Sequence, residues 1–209
     1  MSEAAGGDSA SAGRVCVFCG SSDGVSPEYL AAARSMGQAI ARRGLKLVYG
    51  GGGTGMMGAL ADGALQAGAT VIGVLAERFD TPAQRHPTLT ERHVVATMHQ
   101  RQALMTDLSG AFVAMPGGFG TLDEFFEVLC WAQLGLHQHP IGLLNTRGYY
   151  DPLLAAIQRA RAEGFIYAEH NGLFVTATEP ESLLERLAGY RPPNRGGHSP
   201  GIHLPDGRG

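Results

Sequence analysis

Short apolar runs alternate with longer amphipathic segments along the chain. Runs of three to six residues that are apolar on both alternating faces predict strands buried on both sides. They are Val15–Phe18, Leu45–Tyr49, Thr70–Leu75, His93–Val95, Ala111–Met115, Ile141–Leu144 and Leu173–Val175. Segments with apolar residues at helical spacing lie between them. They are Pro27–Arg43, Met56–Ala67, Met98–Leu108, Leu122–Leu134, Tyr149–Glu163 and Pro180–Leu187.

This alternation predicts the fold class. Strands that alternate with helices are joined by right-handed crossovers, which produce a Rossmann-like parallel sheet with helices on both faces. We expect a single α/β domain over residues 14–190, flanked by disordered tails at 1–13 and 191–209. Ligands of such sheets bind beyond the carboxyl ends of the strands, so the chemistry is expected in the loops that follow the strands.

Composition limits the classes of binding partner and the cellular compartment that can be expected. The 209 residues are 44% hydrophobic and carry a formal net charge of −3, so the basic excess typical of nucleic-acid binding is missing. No apolar run approaches the roughly 18 residues of a membrane span. Residues 1–12 lack the cationic start and apolar stretch of a secretory signal. We therefore expect a cytoplasmic protein with no nucleic-acid or membrane partner.

The loop after the second strand is rich in glycine. It reads GGGGTGMMG over residues 50–58, and Gly53, Gly55 and Gly58 satisfy the GxGxxG fingerprint of dinucleotide-binding proteins. Glu77, about 20 residues further on, stands where an acid that binds ribose is expected. Because the fingerprint normally follows the first strand, two other interpretations remain open. The glycines can serve a tight turn, or residues such as Gly53 can share in a phosphate pocket.

A second glycine-rich loop follows the fifth strand and reads PGGFGTLDE over residues 116–124. Its glycines free the backbone to turn amide groups toward one point at a helix start, where the helix dipole also favours an anion. Because the GK[ST] ending of a triphosphate loop is missing, we expect a monophosphate held by Gly117, Gly118, Gly120 and Thr121. Thr121 can instead cap the helix.

Two charged residues are candidates for the chemistry. Glu124 lies about one turn beyond this loop, within reach of the sugar of a bound nucleotide, unless it only complements the helix dipole. Arg101 stands near a predicted helix start, where a cation opposes the dipole and favours a nearby anion. Arginine stays charged, so it can bind phosphate, orient a carboxylate or stabilise a leaving group; a plain surface salt bridge is the alternative.

Other candidates are weaker. Cys16 and Cys19 would face opposite sides of a strand, so buried inert thiols are expected rather than a redox pair. His137 and His139 have no neighbouring ligands, which favours a surface turn over a metal site. The only lysine, Lys46, falls at the amino end of its strand, where it could not anchor a cofactor. No metal and no cofactor are therefore expected.

The helix predicted over Leu122–Leu134 is apolar nearly all round after its first turn. Its Phe125, Phe126, Leu129 and Trp131 exceed what one sheet face needs to cover. We expect part of this helix to pack on a second copy of the chain, as a homodimer with its sites near the interface.

Taken together, the segment around Arg101, the PGGxGTxxE motif at 116–124 and Trp131-Ala132-Gln133-Leu134-Gly135 resemble the Lonely Guy (LOG) family. Members of that family are cytokinin riboside 5′-monophosphate phosphoribohydrolases. The resemblance covers about Val15 to Leu187. It implies hydrolysis of the N-glycosidic bond of N6-modified adenosine 5′-monophosphates, possible use of AMP, and a catalytic pair at Arg101 and Glu124.

The expected substrate-binding set is Gly117, Gly118, Gly120, Thr121, Gln102, Ser21, Gly53 and Met98. Gln102 departs from the family, which commonly has lysine there, and this puts substrate preference in question. The family has also been labelled lysine decarboxylase, which the position of Lys46 argues against. Two other hypotheses stay open: a non-catalytic carrier or sensor of a phosphorylated ligand, and a NAD(P)-dependent oxidoreductase.

Overall fold

The computed structural model describes residue 11 and residues 13–193. Its strands are β1 (Arg14–Phe18), β2 (Lys46–Tyr49), β3 (Val71–Ala76), β4 (Glu91–Val95), β5 (Ala111–Ala114), β6 (Ile141–Leu144) and β7 (Val175–Ala177). Its α-helices are α1 (Pro27–Arg42), α2 (Gly55–Gln66), α3 (Met98–Asp107), α4 (Phe119–Leu134), α5 (Asp151–Ala162) and α6 (Pro180–Ala188). The predicted tails fall largely outside the described residues, and their expected disorder stays a prediction.

All seven strands form one parallel sheet in the order β4-β3-β2-β1-β5-β6-β7. The chain builds outward from β1 to β4 and then returns to the other side of β1 with β5. The order therefore reverses between β1 and β5, and the loops that follow these two strands diverge there. Such a reversal opens a crevice at the carboxyl ends of the strands. The predicted α/β class is confirmed.

The sheet is covered on both faces because side chains alternate along each strand. Val15, Val17 and Cys19 belong to one apolar core, with buried residues of α1, α2 and α6. Cys16 and Phe18 belong to the other core, with buried residues of α3 and α4. The two cysteines thus lie on opposite faces, as predicted, and burial raises the pKa of both thiols.

Two element boundaries differ from the predicted ones in an informative way. Helix α4 begins at Phe119, three residues earlier than predicted, because the glycine-containing segment after Gly118 is already helical. Strand β7 begins at Val175 rather than at Leu173. Leu173 is buried in the core from the preceding turn, whereas the ladder to β6 starts with the pairing of Gly142 and Val175. An apolar residue therefore need not be a strand residue.

No helix among the described residues is long and apolar enough to cross a membrane. The described part also contains no group of three or more His, Cys, Asp and Glu side chains that could hold a metal ion. His137 instead donates a hydrogen bond to the carbonyl of Val128 and stacks on His139. The cytoplasmic location stays a prediction.

Candidate active site at the carboxyl edge of the sheet

A cavity of about 420 Å³ opens at the carboxyl ends of the central strands. Eight of the ten predicted site residues line it: Ser21, Met98, Arg101, Gln102, Gly118, Gly120, Thr121 and Glu124. They come from the loop after β1, from α3 and from the start of α4. The order reversal of the sheet brings these segments together.

Arg101 and Glu124 form a buried ion pair in the wall of this cavity. Arg101 Nη1 donates to Glu124 Oε1 at 2.8 Å, and both side chains are only 8% exposed. Arg101 Nε donates to the carbonyl of Val74 on β3 at 2.9 Å. The guanidinium is therefore held between β3 and α4. The anion expected near Arg101 is Glu124, and the pair is buried rather than a surface salt bridge.

The sequence around these two residues explains how they reach each other. Thr97 and Gln100 form a capping box that starts α3 one turn before Arg101, so its side chain points back over the ends of β3. Glu124 lies in the second turn of α4, because that helix begins at Phe119. Glu124 is buried and stands beyond the first turn. The alternative that it only complements the helix dipole therefore no longer applies.

Burial raises the pKa of the Glu124 carboxyl above its ordinary range, while the charge of Arg101 acts in the opposite direction. A buried carboxylate with a raised pKa is a stronger base than an exposed one. Arginine keeps its proton throughout, so Arg101 can orient the carboxylate but cannot act as an acid. Such a pair suits a reaction in which positive charge develops next to the glutamate.

The start of α4 is open toward the cavity. None of the amides from Gly118 to Thr121 donates a hydrogen bond to a described residue; the first such bond runs from the Leu122 amide to the Gly118 carbonyl. The helix has no side-chain cap, so Thr121 does not cap it. Free amides at a helix start form an anion site. Phosphate binding at the second glycine-rich loop stays a prediction.

The start of α2 differs from that of α4, because protein groups already accept hydrogen bonds from its amides. The amide of Gly55 donates to Asp23 Oδ1 at 2.8 Å, and the amide of Met57 donates to the carbonyl of Gly20. Protein groups therefore occupy donors that a pyrophosphate would need in the GxGxxG interpretation. Glu77 lies in a short 3-10 turn and is not part of the cavity lining. Both observations argue against a dinucleotide site.

Gly53 and Gly117 are the two predicted site residues that do not line the cavity. The amide of Gly53 donates to the carbonyl of Gln84, so it is not available to a phosphate. Gly117 lies behind the cradle, where a Cβ would stand 2.2 Å from Thr121 Oγ1. Its missing side chain lets Thr121 pack close, and its predicted contact with a phosphate stays a prediction.

Several lining residues were not predicted. Met57, Leu75, Phe79 and Ala83 add apolar surface, and Gln84 and Asp123 add polar groups. Leu75 could have been found, because it stands near the carboxyl end of a predicted strand. The segment from Phe79 to His86 carries no comparable pattern. It is tied to the first glycine-rich loop by backbone hydrogen bonds from Gly53 to Gln84 and from His86 to Gly51.

An α/β protein with an open helix start and a buried arginine–glutamate pair in one cavity is a candidate enzyme for phosphorylated sugars or nucleotides. The family model described as possible lysine decarboxylase matches residues 57–187. The cytokinin riboside 5′-monophosphate phosphoribohydrolase of Rhodococcoides fascians is 55% identical, over 83% of this chain and 88% of that protein. A cytokinin riboside 5′-monophosphate phosphoribohydrolase of Arabidopsis thaliana is 44% identical, over 86% of this chain and 84% of that protein. The chain belongs to the Lonely Guy family.

Solved structures share the fold. A molybdenum cofactor binding protein of Rippkaea orientalis is 25% identical, with a TM-score of 0.65 over 84% of this chain and 95% of that chain. The molybdenum cofactor carrier protein of Chlamydomonas reinhardtii is 22% identical, with a TM-score of 0.63 over 84% of this chain and 98% of that chain. The decarboxylase description fits the site poorly, because Lys46 is exposed at the start of β2, the opposite end of the sheet from the cavity.

Proposed function

We propose that this chain hydrolyses the N-glycosidic bond of N6-modified adenosine 5′-monophosphates and releases the free base and ribose 5-phosphate. The observation that carries the proposal is the Arg101–Glu124 pair in the wall of a cavity that also contains the open start of α4. The names of relatives such as the Rhodococcoides fascians phosphoribohydrolase support it. No cofactor is needed for this reaction, because water is the second substrate.

In this proposal the start of α4 binds the phosphate. Amides of Gly118 and Gly120 donate to its oxygens, and the positive end of the helix dipole adds attraction. Thr121 and Ser21 line the same cavity and supply hydroxyl groups. Because Arg101 is already paired with Glu124, backbone amides rather than a free arginine carry the phosphate. Such a site suits a 5′-monophosphate and gives the substrate a fixed end.

Glu124 then acts on the sugar. As the bond from C1′ to the purine nitrogen breaks, positive charge develops on the ribose, and the Glu124 carboxylate stabilises it or activates the attacking water. The water supplies a hydroxyl to C1′, and its proton ends on the departing base. Arg101 orients Glu124, with its own position fixed by the Val74 carbonyl.

The rest of the lining suits a purine with an apolar substituent. Met57, Leu75, Phe79, Ala83 and Met98 contribute apolar surface to the cavity. Gln102, which replaces the common family lysine, donates through Nε2 to Asp123 Oδ2 at 2.7 Å. Gln102 neutralises no charge on Asp123, so this part of the cavity is more acidic than a lysine would leave it. We expect this difference to tune substrate preference rather than the chemistry.

The test compares the wild type with Glu124→Gln on N6-isopentenyladenosine 5′-monophosphate and on AMP, with free base measured by chromatography. We expect the substitution to lower kcat by about 1,000-fold or more, because it removes the charge that faces the sugar. Asp123→Asn is the matched control and should retain activity within about tenfold, because its carboxylate bonds Gln102 instead. Full turnover by Glu124→Gln would refute the assigned role.

A carrier or sensor of a phosphorylated ligand is the second candidate. The observation in its favour is the shared fold with the molybdenum cofactor binding protein of Rippkaea orientalis. A carrier would retain its ligand through purification and release no base, so native mass spectrometry combined with the turnover assay separates the two functions. The buried Glu124 favours the enzyme, because a site that only binds an anion does not need a buried carboxylate.

We also propose that the chain forms a homodimer through α4. Phe119 is 93% exposed, and Phe126, Leu134 and Leu136 are exposed along and just beyond the same helix. Such an apolar surface next to the cavity suits a second copy of the chain. Analytical ultracentrifugation of the wild type and of Phe126→Asp tests this: we expect a dimer that the substitution dissociates, and a wild-type monomer would refute it.

A further inference from the structure

The loop between β5 and α4 is held in place by hydrogen bonds to three consecutive backbone carbonyls. The carbonyl of Met115 accepts from Tyr150 Oη at 2.6 Å, that of Pro116 accepts from the Gly20 amide at 3.1 Å, and that of Gly117 accepts from Tyr149 Oη at 2.6 Å. Both tyrosines lie between β6 and α5, on a segment that does not line the cavity. They therefore act on the site only through the backbone.

The bond to Gly117 has a directional consequence. In a trans peptide the carbonyl points away from the amide N–H of the next residue, and no cis peptide occurs in the described chain. When Tyr149 holds the Gly117 carbonyl outside the cavity, the Gly118 amide is turned to the opposite side. Gly118 lines the cavity, and its amide has no described partner. The hydroxyl of Tyr149 thereby fixes the direction of a phosphate donor.

We propose that Tyr149 is a positioning residue for the phosphate cradle and sets the preference for 5′-phosphorylated over unphosphorylated ligands. This rests on the proposed function of the same cavity. A carbonyl that accepts a hydrogen bond also makes the N–H of its peptide a stronger donor, so the phenol both aims and polarises the Gly118 amide. The Tyr149 ring is supported by Tyr29, whose ring meets it edge-on at 5.9 Å.

Tyr150 provides a matched control within the same chain. Its hydroxyl makes a bond of the same length, 2.6 Å, but to Met115. The peptide of that carbonyl continues into Pro116, which has no N–H, so Tyr150 aims no donor at a ligand. Its buried hydroxyl supports the fold alone, and burial raises the pKa of this phenol, which keeps it a proton donor.

The experiment measures the Kd of AMP and of adenosine by calorimetry, in full-length protein carrying Glu124→Gln so that turnover does not interfere. Tyr149→Phe should weaken AMP binding about 3- to 10-fold and leave adenosine binding unchanged. Tyr150→Phe should lower the Tm but change both Kd values less than twofold. Tyr167→Phe, at an exposed position outside the cavity lining, should change nothing.

Unchanged AMP binding in Tyr149→Phe, or equal weakening of AMP and adenosine, would overturn the role of Tyr149. Because binding is measured without turnover, the two proposals fail separately. A wild type that releases no base would refute the glycosidase while the contrast between AMP and adenosine could still hold. A wild type that releases base while Tyr149→Phe binds AMP normally would refute only the positioning role.

Discussion

The two glycine-rich loops at the carboxyl edge of the sheet differ in what their glycines face. In the loop over residues 50–58, a Cβ on any glycine would stand at most 3.0 Å from another atom of the protein. In the second loop, a Cβ on Gly118 or Gly120 would meet no described atom within 4 Å. Packing explains the glycines of the first loop and also Gly117 of the second, whereas Gly118 and Gly120 face open space beside free amides. In the proposed function, a ligand that approaches the backbone closely accounts for Gly118 and Gly120.

The contacts of its residues decide what the motif of the first loop does. The GxGxxG pattern of the first loop is genuine, yet Gly55 is needed because its φ is +58° and because Ser22 leaves no room for a side chain. Its role is the tight turn that was one of the open interpretations, with Gly50 and Gly52 also lining the cavity. The first loop shapes the site, and the second binds the phosphate in the proposed function.

Gly50→Ala should have the largest effect of the loop substitutions. A Cβ at this position would stand 2.2 Å from Arg101 Nη2, so the guanidinium must shift, and we expect this to disturb its bond to Glu124. We expect kcat/KM to fall by about 100-fold or more, with a smaller change in the Kd of AMP, since the phosphate cradle lies on the other loop. Steady-state kinetics and calorimetry check this. Unchanged kcat/KM would show that the Arg101 position is not critical.

Gly55→Ala and Gly120→Ala should separate stability from binding. Gly55→Ala forces a strained backbone and a clash, so we expect the free energy of unfolding to fall by about 2 kcal/mol or more. Gly120→Ala lies in the first turn of α4 and should not destabilise, but its methyl group occupies the ligand's space and should raise KM about tenfold or more. Denaturant unfolding gives the stability of both variants, and steady-state kinetics gives their KM. The reverse pattern would contradict the assignment of the two loops.

The smallest effect is expected in the pH dependence of kcat/KM. Glu124 must be deprotonated to act, so kcat/KM should fall as the pH drops through its pKa, which burial raises above the usual value of about 4.3. The Asp123 carboxylate contributes to the raised pKa. Asp123→Asn should therefore move the acid limb of the kcat/KM profile to lower pH. A shift to higher pH would show that another group controls this limb.

Most of the fold could be predicted because its signal is local. Strands β1, β2, β3, β5 and β6 are buried on both faces and therefore appear as short apolar runs. The edge strand β4 was also predicted to be buried on both faces, but it is largely exposed because it has a neighbour on one side only. Most boundaries agree within two residues. The start of α4 could not be predicted, because glycines at 118 and 120 look like a loop in sequence. The helix begins there nonetheless, since a first turn tolerates glycine and leaves its amides free for a ligand.

The candidate site was only partly visible in the sequence. Arg101 and Glu124 could be singled out by their positions near helix starts. Their direct contact depends on the packing of α3 on β3 and of α4 on β5 and β1, which the sequence does not show. Tyr149 lies in a turn without a motif, and its contact with Gly117 joins residues 32 apart in the chain. Such contacts arise from the sheet order, which brings the ends of β5 and β6 side by side.

The most direct test of the central claim compares base release from N6-isopentenyladenosine 5′-monophosphate and from the same nucleoside without phosphate. If the start of α4 binds the phosphate and Glu124 acts on the sugar, the nucleotide should be hydrolysed with a kcat/KM about 100-fold or more above that of the nucleoside. Equal rates would contradict the phosphate site, and no base from either compound would contradict the glycosidase.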